Sequence, residues 1–184
     1  MSKTTWKIDP MHSEIQFKVK HMMISNVTGS FTEFESTLKH EGDDFSDAEI
    51  SFQANINSID TGNEQRDGHL KSPEFFDVGQ FPQLSFKSTS VKKDSADSKY
   101  TVQGDLTIKG VTRPVTLQAN FGGMDKDSYG RIKAGFELTG AIKRKDFGLT
   151  WDGVTEAGNV MLSDEIKLMA DVQFVKEAEA VTAA

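Results

Sequence analysis

The chain has 184 residues, 27% of them charged and 36% apolar, and carries a formal net charge of −7. The length predicts one domain over 1–184 with one substantial core, and the composition is that of an ordinary soluble protein rather than a disordered or membrane-spanning one. The acidic balance excludes nucleic acid as an expected partner and allows at most transient membrane contact, while the lack of cysteine excludes disulfides, thiolate metal sites and cysteine nucleophiles.

The start, MSKTTWKIDP, has no apolar run of the kind a signal peptide needs, so the chain as it stands is expected in the cytoplasm. A chain whose leader had been trimmed would read the same and belong in the periplasm. From TWKID onward, alternation dominates. Ile15, Phe17 and Val19 share one face of a strand; a further strand covers the stretch from Phe31 to Leu38; Ala48, Ile50, Phe52, Ala54 and Ile56 form the apolar face of the next.

RDGHLKSPEFFD, from Arg66 to Asp77, interrupts the rhythm. Thr61 or Asn63 can cap a short helix carrying Arg66, His69 and Leu70 on one face, and Pro73 ends it. Ser72 can then cap a second turn that holds Phe75 and Phe76, one expected to plug a barrel and the other to line its mouth.

Alternation resumes in LSFKSTSV around Phe86, in YTVQGDLTI with Leu106 and Ile108, in VTLQANF, in IKAGFELTGAI with Phe136, and in IKLMADVQF. HEGDD, KKDSADSK and GGMDKDSYG read as hairpin loops. The tail 176–184 reads as frayed or weakly helical, leaving an ordered barrel over about 4–175.

Eight or nine long strands joined by short polar turns predict an all-β fold, closed as an antiparallel barrel rather than stacked as a sandwich. Small residues on the inward faces, among them Gly104 and Gly140, either ease bending or leave a cavity. The thirteen phenylalanines favour a water-free interior.

Three histidines, His12, His21 and His69, show no metal-ligand spacing, and no metal site is expected. Arg66, Asp67 and His69 have the makings of an acid/base set, and His12 stands beside Ser13. Neighbours on a strand face opposite ways and no nucleophile elbow is present, so no catalytic residue is assigned. The alternative for Arg66 and Asp67 is an ion pair or helix cap that holds the helical segment.

Five ordered motifs carry a resemblance: W-K-I-D-P-x-H-S-x-I-x-F-x-V-K-H from Trp6 to His21, I-D-T-x-x-x-x-R-D-x-H-L-K-S-x-x-F-F-D from Ile59 to Asp77, F-P-x-L-x-F-K-S from Phe81 to Ser88, G-D-L-T-I-K-G-V-T-R-P-V from Gly104 to Val115, and R-K-D-F-G from Arg144 to Gly148. Together they resemble the YceI-like, lipocalin-like family of bacterial proteins. The resemblance implies an eight-stranded antiparallel barrel with a helical segment over one end and a long cavity. It also implies a bound polyisoprenoid, isoprenoid quinone or fatty amide, no required cofactor, and allows a homodimer.

The reading is a non-enzymatic carrier, store or sink for such a lipid. Its ligand-binding residues are Phe17, Phe52, Arg66, His69, Leu70, Phe75, Phe76, Phe86, Leu106, Ile108 and Phe136, with Arg66 and His69 donating to the head group. The alternatives are an enzyme acting on an isoprenoid or fatty amide, and a filled barrel serving as an interaction module.

Overall fold

A computed structural model describes residues 3–95, 98–153 and 162–178. The strands are β1 (Thr4–Ile8), β2 (Glu14–His21), β3 (Ser25–Phe31), β4 (Phe34–His40), β5 (Glu49–Asn55), β6 (Ile59–Asp60), β7 (Gln83–Lys93), β8 (Lys99–Ile108), β9 (Val111–Lys126), β10 (Ile132–Lys143) and β11 (Leu162–Lys176), with one α-helix, α1 (Glu64–Lys71).

These segments make eight staves. β1 and β2 are one stave broken at Asp9–Ser13, β3 and β4 a second broken at Thr32–Glu33, and β5 and β6 a third broken at Ile56–Ser58, followed by β7 to β11 singly. Each stave pairs antiparallel with the next in sequence, and β11 closes the ring by pairing with both β1 and β2. Closure gives the predicted eight-stranded antiparallel barrel, with residues 25–29 of β3 paired on the β2 side alone.

The first break explains the motif WKIDPxH. Asp9 caps a 3₁₀ turn over Pro10–His12, accepting from the Met11 amide at 3.1 Å, with Pro10 where a missing N–H costs nothing. Its carboxylate also takes the Lys133 ammonium at 2.8 Å from β10 and meets His12 Nδ1 at 2.9 Å. The lysine hydrogen bond, opposed by burial and helped by His12, holds the Asp9 carboxyl down at about 2. His12 therefore lies on a turn and not, as expected, on a strand.

The stretch from Phe31 to Leu38 is likewise not one strand. Phe31 and Phe34 are both buried, which period-two alternation forbids for residues three apart, and the break at Thr32–Glu33 resets the parity. Ser58 fills that break, its Oγ accepting from the Thr32 and Glu33 amides at 3.2 and 3.0 Å. GGMDKDSYG is also mostly strand: β9 continues to Lys126, Gly122 is the unpaired residue of a bulge between Phe121↔Phe136 and Gly123↔Gly135, and only Asp127–Arg131 turns. In KKDSADSK the first two lysines belong to β7 and Lys99 opens β8, and residues 96–97 lie outside those described. The residues read as a frayed or weakly helical tail begin with the last of β11, Lys176, and 179–184 lie outside the described residues.

Small inward residues act as seats. A Cβ on Gly104 or Gly140 would collide with the side chain of Phe86 or Leu117 respectively, so these glycines admit neighbouring side chains rather than opening space of their own.

Candidate functional site

A cavity of about 270 Å³ runs through the barrel interior. Strand alternation builds its wall. Phe17 of β2, Phe52 of β5, Phe86 of β7, Leu106 and Ile108 of β8, and Phe136 of β10 all point into it. Leu70 at the end of α1, together with Phe75 and Phe76 from the turn that follows, lines it as well.

Besides Gln16 and Thr139, the polar members of the lining are Ser36, Tyr100 and Arg144, and these three are already engaged. Ser36 Oγ donates to the Ser51 carbonyl at 2.8 Å, and the Tyr100 hydroxyl accepts from the Phe45 amide at 3.3 Å. Arg144, only 2% exposed, is a clamp: it donates to the carbonyls of Leu149 and Trp151 at 2.8 Å, Ser163 at 3.0 Å and Leu162 at 3.3 Å, and to Asp152 Oδ1 at 2.7 Å. A guanidinium so committed ties the two sides of the mouth together and has little left for a ligand. Lys145 and Arg144 in turn hold the Asp152 carboxyl below its ordinary value.

The two ends of the cavity differ. At the end where β4 leads into residues 41–48, Phe45 inserts as a plug, its ring 5.8 Å from Trp6, 4.7 Å from His40, 5.3 Å from Phe121 and 5.0 Å from Phe136. Trp6 Nε1 donates to His40 Nε2 at 2.8 Å. Because indole only donates, His40 must accept there and carry its proton on Nδ1, an atom buried without a partner among the described residues. Phe45 escaped sequence reasoning because it stands alone in a polar loop; the only signal was that isolation.

At the other end α1 covers the mouth. Asn63 caps it, accepting from the Arg66 amide at 3.0 Å. Arg66 turns back on the helix entrance, donating from Nε to Thr61 Oγ1 at 2.7 Å and from a terminal nitrogen to the Thr61 carbonyl at 2.6 Å; Asp67 accepts from the Thr61 amide at 3.0 Å. These two residues thus take the capping arrangement, and Arg66 is not among the residues lining the cavity.

Ser72 does not cap a second helical turn. Its hydroxyl donates back to the His69 carbonyl at 2.6 Å, and the following residues form hydrogen-bonded turns, with the Phe75 and Asp77 amides donating to the Ser72 carbonyl. His69 also stays outside the cavity, its Nε2 paired with Glu74 and its ring set edge-on to Phe75 at 5.0 Å and Trp151 at 5.2 Å. Trp151 is the second residue that sequence reasoning missed, lying in a loop with no periodic neighbours.

The neighbours His12 and Ser13 turn to different partners. Ser13 Oγ accepts from the Gln173 amide at 3.0 Å while His12 faces Asp9, so the two neighbours do not meet. Among the described residues, no three His, Asp or Glu side chains converge as metal ligands.

The chain is 40% identical over 173 residues to UPF0312 protein YE1254 of Yersinia enterocolitica, covering 93% of this chain and 86% of that one. The fold is similar to that of BcnA from Burkholderia cenocepacia, with a TM-score of 0.78 at 21% identity over 90% of this chain and 98% of that one. It is also similar to a polyisoprenoid binding domain from Saccharophagus degradans implicated in plant cell wall breakdown, with a TM-score of 0.66 at 17% identity over 94% of this chain and 98% of that one. The model of the YceI-like domain matches residues 6–174, and the chain belongs to that family.

Proposed function

We infer that the barrel binds a long-chain apolar ligand of the polyisoprenoid, isoprenoid quinone or fatty amide type and carries, stores or sequesters it without a catalytic step. One observation carries this reading: the cavity is walled mainly by aromatic and aliphatic side chains, and Ser36, Tyr100 and Arg144 of its lining already have protein partners. Such a wall rejects a polar ligand, which would lose its hydrogen bonds to water and find none inside. It welcomes hydrocarbon, because every apolar Å² removed from water contributes roughly 25 cal/mol, so several hundred Å² supply on the order of 10 kcal/mol before immobilisation is subtracted.

The fold likeness to a polyisoprenoid binding domain supports the same ligand class. In this reading the head group stays at the rim beside α1. His69 meets it by releasing Glu74, and Arg66 by releasing Thr61, so head-group contacts contribute less than the buried chain.

The test is purification from the natural host without detergent, native mass spectrometry, and solvent extraction of what is bound. A stoichiometric prenyl or long-chain adduct is the expected result. A bare-chain mass together with refusal of added polyprenol and quinone overturns the reading and leaves a barrel that works by its outer surface.

A further inference from the structure

The hairpin between β2 and β3 is built against its own backbone preference. The Ile24 amide donates to the His21 carbonyl, and the two residues between them, Met22 and Met23, have φ of 54° and 59°. Positive φ at both central positions is the pattern of a type I′ turn, where Asn and Gly are the low-energy residues and an unbranched side chain is strained. Burial offsets little of this at Met23 and Ile24, which are 53% and 82% exposed, and only part of it at Met22, which is 37% exposed. A turn that accepts strain in order to present three apolar side chains to solvent indicates a surface with a use.

Position and charge identify the occupant. His21 pairs with Leu162, and Val19, Leu162 and Ile166 just below the tip line the cavity, so the tip stands at the mouth beside α1. From Ile15 to Thr32 the hairpin and its flanks hold Lys18, Lys20 and His21 and no Asp or Glu, in a chain of net charge −7. On the adjoining strand, Asp164 and Glu165 lie beside the shaft, below the tip, and Asp164 accepts from the Lys145 amide. The opposite end of the barrel has an exposed aromatic too, Tyr129 at 85%, but it sits between Asp127 and Arg131 with the guanidinium over its ring. Among the described residues, the mouth tip combines an apolar end with a basic shaft that has no carboxylate of its own.

We propose that Met22, Met23 and Ile24 form a finger that enters a phospholipid surface, with Lys18 and Lys20 meeting the lipid phosphates, and so sets the barrel mouth against the membrane for exchange of its hydrocarbon ligand. This builds on the carrier reading, since a chain drawn from a bilayer into the cavity would then avoid crossing water. Flexible methionines suit such a surface, because they pack against disordered acyl chains without a fixed shape.

The test compares wild type, a Met22→Asn/Met23→Gly/Ile24→Ser variant, and Tyr129→Ser as the control at the far end. Flotation with pure phosphatidylcholine vesicles reports docking, and uptake of a dansyl-labelled polyprenol in solution reports the cavity. Wild type and Tyr129→Ser are expected to float alike, while the triple variant floats about tenfold less. Because Asn-Gly suits the turn, the same variant is expected to resist urea as well as wild type or better, which removes misfolding as an explanation. Equal flotation of wild type and triple variant overturns the finger. Wild type that takes up the polyprenol but never floats also overturns it and leaves the carrier reading standing. Flotation lost in the triple variant, with no uptake by any of the three, upholds the finger and overturns the carrier.

Discussion

The floor and the mouth of the cavity are both made of phenylalanine, yet they are held in different ways. Phe45 at the floor is surrounded by Trp6, His40, Tyr100, Phe121 and Phe136, and the Trp6–His40 hydrogen bond pins that cluster to two staves. Phe75 at the mouth touches His69 and Trp151, and the element that carries it is an eight-residue helix with turns. Burial in a strand-anchored aromatic network builds a fixed wall; burial under a short excursion builds a cover that opens at far lower cost.

The sharpest way to break that contrast is at the floor. Trp6→Ala removes the largest fully buried side chain and orphans His40 Nε2, and is expected to lower unfolding free energy by roughly 3 to 5 kcal/mol in urea titrations. At the mouth, Phe75→Asp places a carboxylate against hydrocarbon and should weaken long-chain ligand by about a hundredfold in a fluorescence competition, while the barrel's far-ultraviolet circular dichroism persists. Loss of that signal would show that the cover is as structural as the floor.

Between the two ends, Asp9 offers a pH test. Its folded carboxyl lies at about 2 against an ordinary 3.8, so it contributes stability above the ordinary value and loses it as pH falls toward 2. Asp9→Asn should flatten the fall in stability between about pH 5 and 2, a difference on the order of 2 kcal/mol in thermal or urea unfolding across that window. The smallest effect belongs to His69→Gln, which keeps a hydrogen-bonding edge near Glu74 and should change binding of a head-bearing lipid by less than about fivefold. An equal change for a plain hydrocarbon would place His69 in the cover rather than at the head group.

Strand faces were legible because one side of every stave is wet and the other dry, so Phe17, Phe52, Phe86, Leu106 and Phe136 declare themselves by alternation. β3 did not, because its inward row is Val27, Gly29 and Phe31, and the central position is a glycine lying beneath the Phe17 ring. Periodicity scores residues one at a time and has no way to register a large side chain borrowed from the next strand. Phe45 and Trp151 were invisible for a related reason: each fills an end of the barrel from a loop, where direction is set by tertiary contact alone. Arg66 and His69 were read as a head-group pair because they share a helical face; the same geometry lets each find a nearer partner, Thr61 and Glu74.

The ring has one seam unlike the rest. Every other pairing joins staves adjacent in sequence, whereas β11 must meet β1 and β2 across nearly the whole chain. In kinetic terms, seven interfaces can zip as local hairpins, but the last one closes a loop of maximal length, and its entropy must be spent before any contact rewards it. Until that step the molecule is a curled sheet with two raw edges and an uncovered apolar face. Refolding should therefore show one slow closing phase that is prone to aggregation, and a hydrocarbon present during that phase would meet an open trough before it met a barrel.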